Sequence, residues 1–148
     1  MILPVSVNLK EIEEKGRDFP WNRPEECLRC HGRRLWGHGF VTAIFDGFKG
    51  CLLLRRYRCP FCGCVIRLRP EGYFKRFQAS KRVIRFHIVT RFHTGKWVPG
   101  FSSARGRHWL RGLKRQVMAH LGMQWMSDLL KAFDLLREMG NIPVSRRI

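Results

Sequence analysis

Two Cys-x-x-Cys pairs, Cys27-Leu28-Arg29-Cys30 and Cys59-Pro60-Phe61-Cys62, lie about one β-hairpin apart in a chain of 148 residues. Nothing else in the sequence restricts the possible folds as much. A Cys-x-x-Cys turn presents two thiolates from one knuckle, with backbone N–H groups aimed at the sulfurs. Two such turns close a tetrahedron around zinc. Cys27, Cys30, Cys59 and Cys62 are therefore the expected ligands of one Zn2+. Four thiolates leave no position open for water, so the metal is expected to be structural, with its binding coupled to folding.

Rival readings of these residues are weaker. Cys27 to His31 spells Cys-x-x-Cys-His, the haem-attachment pattern, but that chemistry needs an oxidising compartment and leaves the second pair unexplained. His31 could stand in for a cysteine, although four thiolates already suffice. Cys51 and Cys64 read as spare buried thiols. The stretch Met1–Lys10 lacks the basic start of a secretory signal, and no uncharged run approaches the ~18 residues of a membrane span. A reducing cytoplasm is expected, which favours metal over disulfides for six cysteines, with nucleoid association and no membrane partner.

The pattern divides into four parts and predicts an α+β chain. Residues 1–26 read as an N-terminal arm; Ile2, Val5, Val7 and Leu9 could add a strand, and Phe19, Pro20, Trp21 and Pro24 could anchor it. Residues 27–77 read as a zinc ribbon: strands at Phe40–Phe45, Cys51–Arg58 and Val65–Arg69, with turn chemistry at Asp46–Gly50, forming a small antiparallel sheet. Residues 78–140 read as a three-helix, helix-turn-helix-like module. Its helices are expected at Ser80–Thr94 (apolar at Val83, Phe86, Ile88, Val89 and Phe92), from the Ser102-Ser103 cap to Leu121, and at Gln124–Met139. The third helix is expected to serve the core through Leu129, Leu130, Phe133 and Leu136. Residues 141–148 read as a basic tail, with Ser145-Arg146-Arg147-Ile148 expected to be mobile.

Charge supplies the functional direction. Lys and Arg number 29 against 11 Asp and Glu, a formal net charge of +18, which makes a polyanion the first partner to consider. Six of the 11 acids precede the first cysteine, and none lies between Glu71 and Asp128. In the ribbon, Arg55, Arg56 and Arg58 precede the second knuckle, and Arg67 and Arg69 follow it; Arg56 with Arg58, and Arg67 with Arg69, should each share a sheet face as a rail for phosphates. Arg105, Arg107, Arg111, Lys114 and Arg115 crowd the first part of the second expected helix, in the position of a recognition helix. Carboxylates are too few and scattered to hold catalytic cations, and no nucleophile or phosphate-loop motif occurs, so an enzyme is not expected.

The run Cys27-x-x-Cys30, Leu35-Trp36-Gly37-His38-Gly39-Phe40, Leu54-Arg55-Arg56-Tyr57-Arg58-Cys59-Pro60-x-Cys62-Gly63 and Arg67-Leu68-Arg69-Pro70 resembles the zinc ribbon that opens many bacterial insertion-sequence transposases. In that family the ribbon precedes a helix-turn-helix. The resemblance implies Cys27, Cys30, Cys59 and Cys62 as zinc ligands and terminal-repeat DNA as partner. Residues matching the family's catalytic carboxylate domain are not found, so it implies either an accessory DNA-binding protein of a mobile element, working with a separate transposase or integrase, or a truncated N-terminal module of such an enzyme. Two alternatives stay open. One is an RNA-binding module stacking bases on Tyr57, Phe61, Tyr73, Phe74 and Phe77; the other is a protein-binding scaffold.

Overall fold

The structure, a computed structural model, describes residues 1–148. It is α+β and divides into two units, Met1–Ala79 and Ser80–Ile148.

The first unit is built on a four-stranded sheet of order β1-β4-β3-β2, with β1 at Ile2–Val5, β2 at Trp36–Ala43, β3 at Leu52–Arg58 and β4 at Val65–Pro70. The ribbon strands β2, β3 and β4 pair antiparallel, as their turns require. The N-terminal segment changes that picture. β1 pairs parallel with β4, Ile2 opposite Arg67 and Pro4 opposite Arg69, so the sheet is mixed and β4 is an inner strand. Pro4 is tolerated because β1 lies at the edge, where a missing N–H costs no ladder bond. After β1, Asn8 caps a short helix, α1 (Leu9–Lys15), by accepting from the N–H groups of Lys10 and Glu11. Ile12 and Phe19 are buried with Phe45, Leu52 and Leu54. The first 26 residues thus add the strand and the Phe19 anchor that their pattern allowed, and they hold part of the core.

The second unit contains α2 (Lys81–Thr94), α3 (Ser103–His120) and α4 (Leu129–Glu138), with a 3-10 turn at Met123–Ser127. Ser80 and Ser102 cap α2 and α3 at the positions the sequence marked. α4 starts later than expected because the Asp128 side chain accepts from the N–H of Lys131 and sets the helix start there. The connection between α2 and α3 spans residues 95–102, longer than the ~3–4-residue turn of a helix-turn-helix. The buried side of α2 is Ile84, His87 and Ile88; Val83, Phe86 and Phe92, expected to be part of an apolar surface, are exposed. Leu113 and Val117 of α3 and Leu129, Ala132, Phe133 and Leu136 of α4 are among the buried residues of the unit, where the two helices meet. Arg85 joins α2 to α4 through a two-pronged ion pair with Asp134, at 3.0 and 2.9 Å.

The tail is docked. Val144 is fully buried, and the buried Gln116 donates to the carbonyls of Ser145 (2.9 Å) and Arg147 (2.6 Å). Gly112 makes this possible: any Cβ there would run into the Val144 carbonyl. Residues 141–145 therefore complete the helical core and are not a free basic tail.

Candidate metal centre and basic surfaces

The two cysteine turns are near copies of each other. In the first, Cys27 N–H donates to the Gly32 carbonyl (2.9 Å) and His31 N–H to the Cys27 carbonyl (3.0 Å); in the second, Cys59 N–H donates to Cys64 (2.9 Å) and Gly63 N–H to Cys59 (3.0 Å). Each turn needs a left-handed residue after its second cysteine. Gly63 supplies it at φ 73°, and His31 supplies it at φ 60°. The position of His31 is thereby explained: it occupies a turn site that favours glycine, and its ring lies 3.3 Å from Glu26 at the surface, away from any ligand role. Cys64 is the counterpart of Gly32; its thiol is buried and directed to the Val65 carbonyl. Cys51 is exposed and apart from the cluster.

The four sulfurs of Cys27, Cys30, Cys59 and Cys62 lie within 4.8 Å of one another. Cys27 and Cys62 are 3.6 Å apart, and Cys30 and Cys59 are 3.5 Å apart. A tetrahedron with Zn–S bonds of ~2.3 Å has edges of about 3.8 Å, so the set fits one zinc ion. Backbone N–H groups of Arg29 and Gly32 point at the sulfurs of Cys27 and Cys30, at 3.3 and 3.4 Å, as thiolate ligands require. The N–H groups of Cys30 and Arg29 hold the Cys27 thiol down to about 6. Cys59 is lowered as well, foremost by the N–H of Cys62. At Cys30 and Cys62 the N–H groups of Gly32 and Cys64 also pull down. Burial and the neighbouring sulfurs outweigh them, pushing Cys62 up to about 12. Four sulfurs this close do not all ionise unless a cation sits among them, and a divalent metal supplies it. With four thiolates the shell is closed, and the ion's role is to hold the two knuckles together.

The ribbon arginines separate into different environments. Arg55 lies over the rings of Phe40 and Tyr57, at 4.9 and 5.4 Å. Arg58 is exposed at the end of β3, beside the second knuckle. Arg56 and Arg67 are direct cross-strand partners. Arg69 is not on an exposed rail: it is 7% exposed, and its Nη2 donates to the carbonyls of Phe74 (3.0 Å) and Phe77 (2.9 Å). Burial, with Arg67 nearby, lowers its pKa from the usual guanidinium value. The two-strand rail expected from alternation is thus a mixture of one stacked, one exposed and three clustered arginines.

On α3 the expected basic residues are all exposed. At ~100° per residue, Arg107, Arg111, Lys114 and Arg115 fall in one sector about 100° wide, opposite the buried Trp109, Leu113 and Gln116. Arg105 lies outside this sector, with its guanidinium 5.1 Å from the Trp109 ring centre. No helix is long and apolar enough to cross a membrane. Comparison with protein-family models, curated proteins and solved structures returns no match. Lys75 and Arg76 join the Arg56–Arg67–Arg69 group with no local pattern to mark it; their approach depends on how residues 71–78 fold back after β4.

Proposed function

We propose that this chain is a zinc-stabilised, non-catalytic protein that binds double-stranded DNA, an accessory factor of a mobile element that recognises element ends beside a separate transposase or integrase. The observation that carries the reading is the exposed face of α3. Four cations share one sector, and the helix contains no carboxylate. Such a face matches the spacing and charge of a phosphate-lined major groove. Arg107, Arg111, Lys114 and Arg115 would meet base edges and phosphates there, and Arg58 would meet phosphate.

Burial removes support from the alternatives. Tyr57 and Phe74, two of the five aromatics that could stack RNA bases, are 4% and 6% exposed. Leu129, Phe133 and Leu136 of the third helix are consumed by the core and are not a partner face.

Fluorescence anisotropy with a terminal-repeat duplex and a scrambled duplex tests the reading across a salt series. The expected result is tighter binding to the element end, with affinity falling steeply as salt rises. Arg107→Gln and Arg111→Gln should each weaken binding by about tenfold, the effect of one lost charged base or phosphate contact. Equal affinity for both duplexes would end the element-end reading, and failure of both variants to weaken binding would remove α3 from it.

A further inference from the structure

The first unit contains a cleft of about 650 Å³ that the duplex reading does not use. Arg56, Arg67, Arg69, Lys75 and Arg76 line it, together with Phe77, and no carboxylate does. Arg56 and Arg67 stand directly opposite each other on β3 and β4, where like charges destabilise a strand pair. The Nε atoms of Arg56 and Arg69 are buried and have no hydrogen-bond partner, although a buried guanidinium donor is costly to leave unpaired. Arg76, at the rim, holds a left-handed backbone at φ 70°. Repulsion, unsatisfied donors and strain converge on one concavity, and an anion would relieve the first two.

Its depth and charge select the anion. Phosphates of a duplex lie on a convex surface and meet protruding cations, whereas here Arg69 is almost wholly buried. A recessed site receives a projecting group. The volume is in the ~300–1,000 Å³ range of small-ligand pockets. Five cations call for more than a single negative charge, and a phosphomonoester carries about −1.5 to −2 at neutral pH, with oxygens that suit the guanidinium fork.

We infer that this cleft binds a terminal phosphate group, with Arg56 and Arg67 as its main contacts and Arg69 as the buried anchor of its floor. The phosphate could be carried by a free nucleotide or by the end of a nucleic-acid strand. The inference does not rest on duplex recognition by α3, and the ligands used to test it are too short to form a duplex.

Isothermal titration of the zinc-loaded full chain is the test. The probes are inorganic phosphate, a nucleoside triphosphate, and one thymidine trinucleotide with and without a 5′-phosphate. At least one phosphomonoester or polyphosphate probe should bind, and the phosphorylated trinucleotide should bind at least tenfold more tightly than its 5′-hydroxyl form if the source is a strand end. Tight binding by the triphosphate or phosphate alone would assign a free phosphate compound instead. Arg56→Gln and Arg67→Gln should each weaken binding tenfold or more, yet melt no lower than the parent chain in anion-free buffer, because each removes one member of the repelling pair. Arg69→Gln is avoided, since that side chain also tethers the Phe74 and Phe77 carbonyls. Absence of binding by every phosphate probe overturns the inference, as does unchanged affinity in both variants.

Discussion

The two units solve the problem of a small core in opposite ways. In Met1–Ala79 the buried apolar residues form separate clusters, and the larger one includes the ligand cysteines Cys27 and Cys59 themselves. That core is finished only when a metal ties the knuckles. In Ser80–Ile148, three helices and the docked Val144 enclose Ile84, Ile88, Leu113, Val117, Phe133 and Leu136 with no metal ligand among them. A sheet with short strands and long turns has little apolar area to bury, whereas an amphipathic helix contributes a whole stripe. Metal dependence should therefore stop at the boundary between the units.

The largest expected effect tests that boundary. Removing zinc with a chelator, or Cys59→Ser, should unfold the first unit. Structural zinc supplies ~10–16 kcal/mol, as much as a small domain's entire stability of about 5–15 kcal/mol. Amide resonances of the sheet should collapse while those of α2, α3 and α4 remain; melting of the helices together with the sheet would break the contrast.

Next in size is a lesion confined to the helical unit. Gly112→Ala pushes against the Val144 carbonyl and should destabilise this unit by roughly 1–3 kcal/mol, the usual cost of overpacking. Thermal melting of the helices and protease access to residues 141–148 report it, and zinc affinity should not change.

Acid should also separate the units. His87 is 3% exposed beside the rings of Phe101 and Trp109, and burial, with Arg105 as a second cause, lowers its pKa below the ordinary 6.5. A depressed histidine binds its proton less readily folded than unfolded. Helical stability should then be level above pH 6.5, fall as pH drops below it, and level again below the folded-state pKa. His87→Leu should flatten the profile. An unchanged slope in amide exchange of α3 would show that His87 does not control it.

The smallest effect compares the two knuckles. His31→Gly gives the first turn the residue the second already has. Relief of a left-handed side chain, less the entropy of a freer unfolded chain, should stabilise the first unit by roughly 0.5–1 kcal/mol. A loss of stability would mean that the Glu26 contact outweighs the backbone strain.

Much of the site was legible in the sequence because its signals are local. A Cys-x-x-Cys turn specifies its own geometry, and Ser80 and Ser102 mark helix starts through bonds reaching only three residues ahead. α1 was also within reach: Asn8 with Glu11 three residues on is a capping pattern, obscured by the alternation of Ile2, Val5, Val7 and Leu9. Phe86 and Phe92 belong to the apolar pattern of α2 yet are exposed, because an apolar residue on a helix shows its periodicity but not its partner.

The amino-acid sequence by itself determined the zinc ligands, the excess of positive charge and the α+β order of elements, since each follows from residue identity and short spacing. Only the tertiary structure decided what the charges do. The parallel pairing of β1 with β4 turns β4 into an inner strand, and the β3–β4 register sets Arg56 against Arg67. The fold-back of residues 71–78 brings up Lys75 and Arg76 and buries Arg69, and the seating of Val144 on Gly112 closes the helical core. These are meetings of residues far apart in the chain, chosen by the cooperative burial of many side chains, and no local pattern encodes them.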